Sequence, residues 1–455
     1  MLITHYHPSL ILHSYKSLFF NFHRSCLKKI SLSFLKIGSY TFSRDFVCMS
    51  NVLIVPEKNE KLNPLHIVDV GLASGKIDEA YIVDGWSTDN TWTLLEKEIP
   101  SYEKKYGKKI KLFGSVLRNT GKGGAMYTGI KRALKDGHSM ITFIDADITS
   151  ITTKWFDILI DSISKDNLGM SRGYYDRAPF DAQITRHITR PLIAMYFPEA
   201  KDVNQPLGGE LCMTKEVAEH LLTCCTAPPH TWGIDTFMTI NTVMGGFKMG
   251  EYYLTQKTHG KKSVGELRGM LIDCFDEAAK QVFYHKRNVS IPKFSKSLIK
   301  VLPKEHTQVE RIGEDVRTQK YVNVDFEIES FISSLEKILP NNHTDGDGLK
   351  KFLKVDFDDE YLLMDLLKIR SINEFKEKSK LLDRHVWVRT LDTLTRSYIA
   401  EEFNPAFHEI AFILWRLRSL SFIVNEAKTF EEAETNTAEQ AKLAFEYAQK
   451  MAAPK

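Results

Sequence analysis

Two carboxylates one residue apart, Asp145 and Asp147, follow directly on the apolar run Ile141–Ile144 in the stretch FIDADIT, Phe143 to Thr149. Where a strand breaks into a loop, two such side chains point the same way. They repel, and burying them unpaired is costly. A divalent cation relieves both problems, because Mn2+, Mg2+ and Ca2+ take oxygen ligands. The same cation is what a diphosphate leaving group needs as negative charge develops on it. His259, in QKTHG after the apolar run Tyr252–Leu254, is placed to supply a further ligand if the loop returns to the site. A lone histidine more often sits in a core or on a surface.

Four other phrases carry chemistry-bearing residues. In IVDGWSTDNT, Asp84 follows an apolar run and can accept hydrogen bonds from a base or ribose, while Ser87 or Thr88 can cap the next helix. GKGGAM, Gly121 to Met126, pairs small residues that let a backbone approach phosphate with the charge of Lys122. It lacks the spacing of a Walker A loop. In NQPLGGELCM, Gly208 and Gly209 permit close approach to a ligand and Glu210 follows. TWGIDT offers Trp232 as an apolar wall for a sugar face and Asp235 as an acceptor for hydroxyls. Capping, tight turns and a helix start would explain each phrase by itself. Their order along one α/β pattern is what points to a site.

The elements that must position these residues are short apolar runs alternating with helix-length stretches. The runs are Val52–Val55, Ala80–Val83, Ile110–Phe113 and Ile141–Ile144, with helices expected over Thr88–Tyr106 and Gly124–Lys135. That alternation predicts an α/β fold with a mostly parallel sheet, whose ligands bind beyond the carboxyl ends of the strands. Past about Lys262 the texture becomes helical. Val264–Arg287, Arg384–Glu401 and Ala406–Val424 have helical spacing, and the Ala/Glu-rich tail Glu431–Gln449 reads as a solvated helix. Three regions are expected: an extension over 1–48, a catalytic domain over 49–262, and a helical domain over 263–455 that packs on it or joins copies of the chain.

The chain has 455 residues, 43% hydrophobic and 26% charged, with a formal net charge of +3. This is ordinary globular composition, and the charge excludes a broad nucleic-acid surface. The excess sits in residues 1–48, where six Lys/Arg face the single acid Asp45. That stretch fits an organellar transit peptide by composition, or an upstream segment ahead of a start at Met49; the second reading is preferred, and with it a cytoplasmic protein. The apolar runs at Leu10–Leu12 and Leu18–Phe20 are interrupted by polar residues, so no membrane span is expected. Six cysteines without regular spacing read as reduced thiols.

The phrases PEKNE (Pro56–Glu60), GKGGAM, DADIT, RAPFDAQIT (Arg177–Thr185), QPLGGEL, WGIDT and KTHG, followed by LRGMLIDCF, together resemble the mannosylglycerate synthase family of retaining GT-A glycosyltransferases over Met49 to about Phe275. The resemblance implies a GT-A fold followed by a helical domain. It implies Pro56, Lys58 and Glu60 at the nucleotide base and ribose, Lys122 near the diphosphate or base, and Asp145 at the donor sugar or ribose. Asp147 and His259 would bind the metal. Trp232 and Asp235 would line the donor-sugar and acceptor pocket, and Arg172 and Arg177 would face an acceptor carboxylate, for which a planar guanidinium is suited. Asp84, Gly208, Gly209 and Glu210 complete the expected donor site.

The implied reaction is hexosyl transfer from GDP-mannose to D-glycerate with a divalent metal, by a homo-oligomer. Transfer to make glucosylglycerate or mannosyl-lactate, and sugar-nucleotide binding without catalysis, are the alternatives. A sugar-nucleotide pyrophosphorylase would need an amino-terminal glycine-rich loop ending in Arg, which PEKNEKLNP does not supply. Three positions depart from the family: Phe180 replaces a Thr expected near the acceptor, Gly260-Lys261-Lys262 replaces an Arg and an acceptor-side Tyr, and Gly124 replaces an acid.

Overall fold

The structure is a computed structural model that describes residues 50–455, apart from residues 117, 119–120, 225–227, 261–262, 294–295, 307, 322, 339–354, 356 and 453–455. The expectations for residues 1–48 and for Lys262 therefore lie outside the described residues. From residue 49 onward the chain forms one compact unit.

Eight strands build one sheet: β1 Asn51–Glu57, β2 Glu79–Asp84, β3 Lys109–Gly114, β4 Met140–Phe143, β5 Met170–Asp176, β6 Leu211–Thr214, β7 Met249–Gln256 and β8 Ile299–Val301. Their spatial order is β3-β2-β1-β4-β6-β5-β7-β8. β1 pairs in parallel with β2 and β4, β2 with β3, β5 with β7, and β7 with β8. Only β6 runs against its neighbours β4 and β5. The α/β, mostly parallel expectation is borne out, and each of the four expected apolar runs lies in one of β1 to β4 or reaches its end.

Side chains alternate across the sheet as strand geometry requires. Val52 and Ile54 enter one core cluster, and Leu53 and Val55 enter the other. The first cluster continues without interruption into the C-terminal helices, through Trp387, Leu391 and Trp415. The regions expected over 49–262 and 263–455 thus share a core.

Those helices grip the segment that follows β5. Residues Thr185–Thr189 form a π-helical turn that runs into the helix Arg190–Tyr196. The indole N–H of the buried Trp387 donates to His187 O at 2.8 Å, and that of Trp415 donates to Gln183 O at 3.2 Å. Leaving either donor unpaired would cost about 1–3 kcal/mol. Gln440 donates to Arg186 O at 2.7 Å from the last helix, Phe430–Met451. That helix is not the solvated tail the composition suggested. Ala433, Thr437, Gln440, Ala441, Ala444 and Ala448 are buried along one face. Alanine carries little hydrophobic signal, so its spacing reads as polar surface until a partner helix is known. Among the described residues no helix is long and apolar enough to cross a membrane.

If the last helix is packed as described, Ala444→Leu should lower unfolding free energy by about 1–3 kcal/mol through overpacking. Lys442→Ala, on its exposed face, should change it by less than about 0.5 kcal/mol. Urea unfolding of the two variants separates the outcomes; equal effects would mean that the helix is solvated.

Candidate functional site

Strands β1, β2, β4, β5 and β7 are parallel to one another, so their carboxyl ends meet at one edge of the sheet. β6 runs the opposite way, so the residues before it, Gly208–Glu210, arrive at that same edge. A cavity of about 540 Å3 opens there. Pro56, Lys58 and Glu60 line it after β1, Asp145 and Asp147 after β4, Arg177 after β5, and His259 after β7; Lys122, Trp232 and Asp235 complete the expected lining.

The centre is a buried charge network. Lys122 Nζ lies 2.7 Å from Asp145 Oδ1 and 2.9 Å from Asp235 Oδ2. Lys257 Nζ lies 3.1 Å from Asp145 Oδ2 and 2.6 Å from Glu210 Oε1, while Tyr175 donates to Glu210 Oε2 at 2.8 Å. Burial alone would raise the Asp145 carboxyl, but the two lysines override it and hold it well below the usual carboxylate range. Burial raises Glu210 and Asp235, each only partly offset by its lysine. Asp235 Oδ1 is buried, with no hydrogen-bond partner among the described residues, and so lies behind the cavity surface. Gly209 has a steric reason here: a Cβ would collide with the Asp145 carboxylate and lie 2.5 Å from Lys122 Nζ.

The expected metal pair stands beside this network. Asp147 is partly exposed. His259 Nδ1 lies 2.9 Å from Gly260 O, and Nε2 lies 3.2 Å from Arg177 NH2 and 3.6 Å from Asp181 Oδ2. Donation from Nδ1 to Gly260 leaves the Nε2 lone pair free to accept, the tautomer a metal ligand needs. Arg177 Nε donates to Asp181 Oδ2 at 2.7 Å. Among the described residues no three His, Cys, Asp or Glu side chains are gathered to hold a metal. Asp147 and His259 offer a carboxylate and an imidazole on one cavity lining, donor types that suit a divalent cation whose remaining ligands are water and phosphate oxygens.

Several expected residues lie elsewhere. Asp84 does not reach the cavity: it is buried, accepting the Ser87 N–H at 2.7 Å. The β1/β2 register sets it against Glu57, which does line the cavity. Burial, and then the Asp84 charge, push the Glu57 carboxyl up to about 8. Neither Ser87 nor Thr88 caps the following helix, whose N-cap is Asn90. Arg172 is wholly buried and faces no ligand space. It donates to Pro206 O at 3.0 Å and to Thr239 Oγ1, beneath the 205–210 loop. Gly208 lies over it, with the Arg172 Cδ 3.2 Å from where a Cβ would be, and Glu210 sits behind Lys257 and is not in the wall. Within GKGGAM the Gly123 and Gly124 N–H groups are not free for phosphate, since they donate to Thr231 O at 3.1 Å and His230 O at 3.0 Å.

The sequence reading missed Lys257, Asp181 and Glu57. Lys257 stands at the end of β7, two residues before His259, and that position was the available signal. Phe180 lines the cavity and packs edge-on against Tyr321 at 4.9 Å between ring centres. Val316 and Gln319 join it there, on a segment fastened by Gln256, whose amide donates to Ile312 O at 2.7 Å.

A family model described as "Mannosylglycerate synthase, GT domain" matches residues 52–280. The chain is similar to mannosylglycerate synthase of Rhodothermus marinus, 33% identical over 246 residues that cover 52% of this chain and 61% of the relative. It is also similar to mannosylglycerate synthase of Selaginella moellendorffii, 34% identical over 202 residues that cover 42% and 47%. The chain thus spans about half to six-tenths of the length of these relatives. Glucosyl-3-phosphoglycerate synthase of Mycobacterium tuberculosis, solved in complex with phosphoglyceric acid, superposes on 51% of this chain and 80% of its own at 20% identity and a TM-score of 0.43.

Two outcomes follow from the geometry. Lys257→Met leaves Glu210 buried without its cation and should cost about 3 kcal/mol; adding Glu210→Gln should recover at least about 1 kcal/mol in a double-mutant cycle. Additive losses would mean that the two groups do not interact. For Glu57, the folded-state value of about 8 lies above the ordinary 4.5, so the folded chain holds the extra proton between those values. Stability then falls as pH rises through that window. Glu57→Gln should gain on the parent chain between about pH 5 and about pH 8 by an amount on the order of 1–2 kcal/mol. A pH-independent difference in unfolding midpoints would refute the buried neutral carboxyl.

Proposed function

The chain belongs to the mannosylglycerate synthase GT-domain family, and from that premise we propose that it is a metal-dependent retaining glycosyltransferase that makes mannosylglycerate from GDP-mannose and D-glycerate. The observation that carries the reading is the convergence of Asp145, Asp147, Lys122, Asp235 and His259 on one cavity. A divalent cation bound by Asp147 and His259 would neutralise the charge of the departing diphosphate. Pro56, Lys58 and Glu60 hold the base and ribose, with Glu57 beside them. Asp235, on the cavity lining, positions donor-sugar hydroxyls, with its carboxylate held in place by Lys122 through Oδ2. Trp232 supplies an apolar wall.

Arg177 orients the acceptor carboxylate, which lowers the entropic barrier to attack. Its Nε is already committed to Asp181, so the guanidinium is held in one plane before the acceptor arrives. No protein nucleophile is needed for retention, and the network supports that view. Asp145 is locked between two ammonium groups and Asp235 shares one of them, so both are poor nucleophiles. The leaving-group oxygen then assists deprotonation of the acceptor hydroxyl. On the same reading the protein works in the cytoplasm, consistent with the free thiols of Cys212 and Cys274. It works as a homo-oligomer, for which the exposed Phe283, Tyr284 and Val289 offer an apolar surface.

The test is turnover by the full chain with GDP-mannose, D-glycerate and Mn2+ or Mg2+, the product identified by mass and NMR. An α-linked mannosylglycerate is expected, with activity reduced at least about 100-fold in Asp147→Ala through loss of leaving-group stabilisation. Hydrolysis of the donor without this product would keep transferase chemistry and reject D-glycerate. No consumption of any sugar nucleotide, with or without metal, would reject the enzyme reading.

A further inference from the structure

Behind one wall of the main cavity lies a second, of about 130 Å3. The two share Ala182, Thr185 and Gln205. The second cavity carries three cations, Arg186, Arg190 and Lys304, against one carboxylate, Glu434. Arg186 gives its hydrogen bonds to neutral acceptors, among them Asp181 O at 3.0 Å, Ala433 O at 3.1 Å and Thr437 Oγ1 at 2.6 Å. Such partners satisfy N–H groups without cancelling the charge. Its ion-paired carboxylate, Glu434, is 3.8 Å away. Burial pushes Arg186 down to about 10.

Arg190 is in a similar position. NH2 donates to the neutral Asn204 Oδ1 at 2.9 Å, Nε is buried with no partner among the described residues, and burial lowers the group. Glu251 lies near, but its oxygens already accept the Asn204 and Gln205 backbone N–H groups at 2.7 and 2.9 Å. Lys304 pairs with Asp176 at 2.7 Å and with Glu434 at 3.9 Å, and Asp176 also serves Arg311. The Lys304 and Glu434 side chains are 39% and 37% exposed, so solvent reaches the cavity at that end. Buried guanidinium groups whose hydrogen bonds go mainly to neutral acceptors keep charge that an anion entering the cavity would offset.

We infer that this second cavity is a binding site for a phosphate-sized anion, held by Arg190 and Lys304, with the partly neutralised charge of Arg186 behind them. Guanidinium and ammonium donors suit a phosphate's several acceptor oxygens. Two sources share that chemistry. One is free inorganic phosphate entering past Lys304. The other is the phosphoryl group of a phosphorylated acceptor seated in the main cavity and reaching across the wall at Ala182, Thr185 and Gln205. The second source rests on the glycosyl-transfer reading; the binding site itself does not.

The first measurement is calorimetric titration of the full chain with inorganic phosphate, without metal or nucleotide. Saturable binding is expected, weakened at least about 10-fold in Arg190→Gln and retained in Lys122→Met. Lys304→Met serves as the second variant should Arg190→Gln fail to give a cooperative unfolding transition. No binding, or binding lost in Lys122→Met and kept in the Arg190 and Lys304 variants, would overturn the site. The second measurement compares D-glycerate with 3-phosphoglycerate as acceptor. A KM for 3-phosphoglycerate that rises at least about 10-fold in Arg190→Gln, with that for D-glycerate unchanged, assigns the site to the acceptor's phosphoryl group. A D-glycerate rate that responds to added phosphate in the parent chain and not in Arg190→Gln assigns it to free phosphate. Absence of turnover would count against the transferase reading and leave the titration result standing.

Discussion

Burying an ammonium group is tolerable only where carboxylates meet it in good geometry, and here two ammoniums and three carboxylates depend on one another. Asp145 is the shared member, with one oxygen on Lys122 and the other on Lys257. The five groups come from five separate stretches of chain: the start of the helix Lys122–Lys135, the end of β4, the approach to β6, the helix Ile234–Met244 and the end of β7. Displacing any of them by an ångström strands a charge in a medium that does not solvate it. The reversed direction of β6 is what makes the arrangement possible. A parallel strand in that slot would carry Gly209 and Glu210 to the far edge of the sheet, and Lys257 would have no second carboxylate.

The C-terminal helices have a different task. The wall holding Arg177, Phe180 and Asp181 follows β5 as an irregular segment before the π-helical turn at Thr185–Thr189. Such a turn leaves backbone carbonyls outside the regular ladder. Trp387, Trp415 and Gln440 take three of the carbonyl groups in or beside that turn as acceptors for their own side-chain donors. Side chains distant in sequence thus complete the hydrogen bonding of a segment that could not satisfy itself. The helical region is part of the site's support.

How much of this could be read from sequence depends on how local the physics is. The strands β1 to β4 announce themselves by apolar runs, and Asp145 and Asp147 by standing at the end of one. His259 needed only the expectation that strand ends converge, whereas Trp232 and Asp235, at the start of a helix, came from the WGID phrase and its order among the others. Asp84 misled because a carboxylate at a strand end is equally at home capping its own turn, and only the register with Glu57 shows which of the two reaches the cavity. Arg172 misled for a related reason: strand alternation decides its direction, and in a strand buried on both faces the sequence offers no polar face to compare. Lys257 stood at a strand end like the others, but its partner Glu210 precedes the one reversed strand, so the pairing could not be read from strand ends alone. The alanine face of the last helix was invisible because small residues encode contact only in combination with what they touch.

The site divides into a part fixed in advance and a part left adjustable. Asp145 and Asp235 are clamped by buried lysines, with nothing further to order when a ligand arrives. Preorganisation of this kind costs nothing at the moment of reaction. His259 is different. Its Nε2 rests against Arg177, at 3.2 Å, through a hydrogen bond that a metal ligand would have to give up. Asp181 stands ready to keep Arg177 neutralised after that change, because it already pairs with the Nε edge. On the proposed reading, His259 Nε2 is the atom that would hold the cation, and Asp181 keeps Arg177 in place beside it, so the donor and acceptor sides meet at this one cluster of side chains.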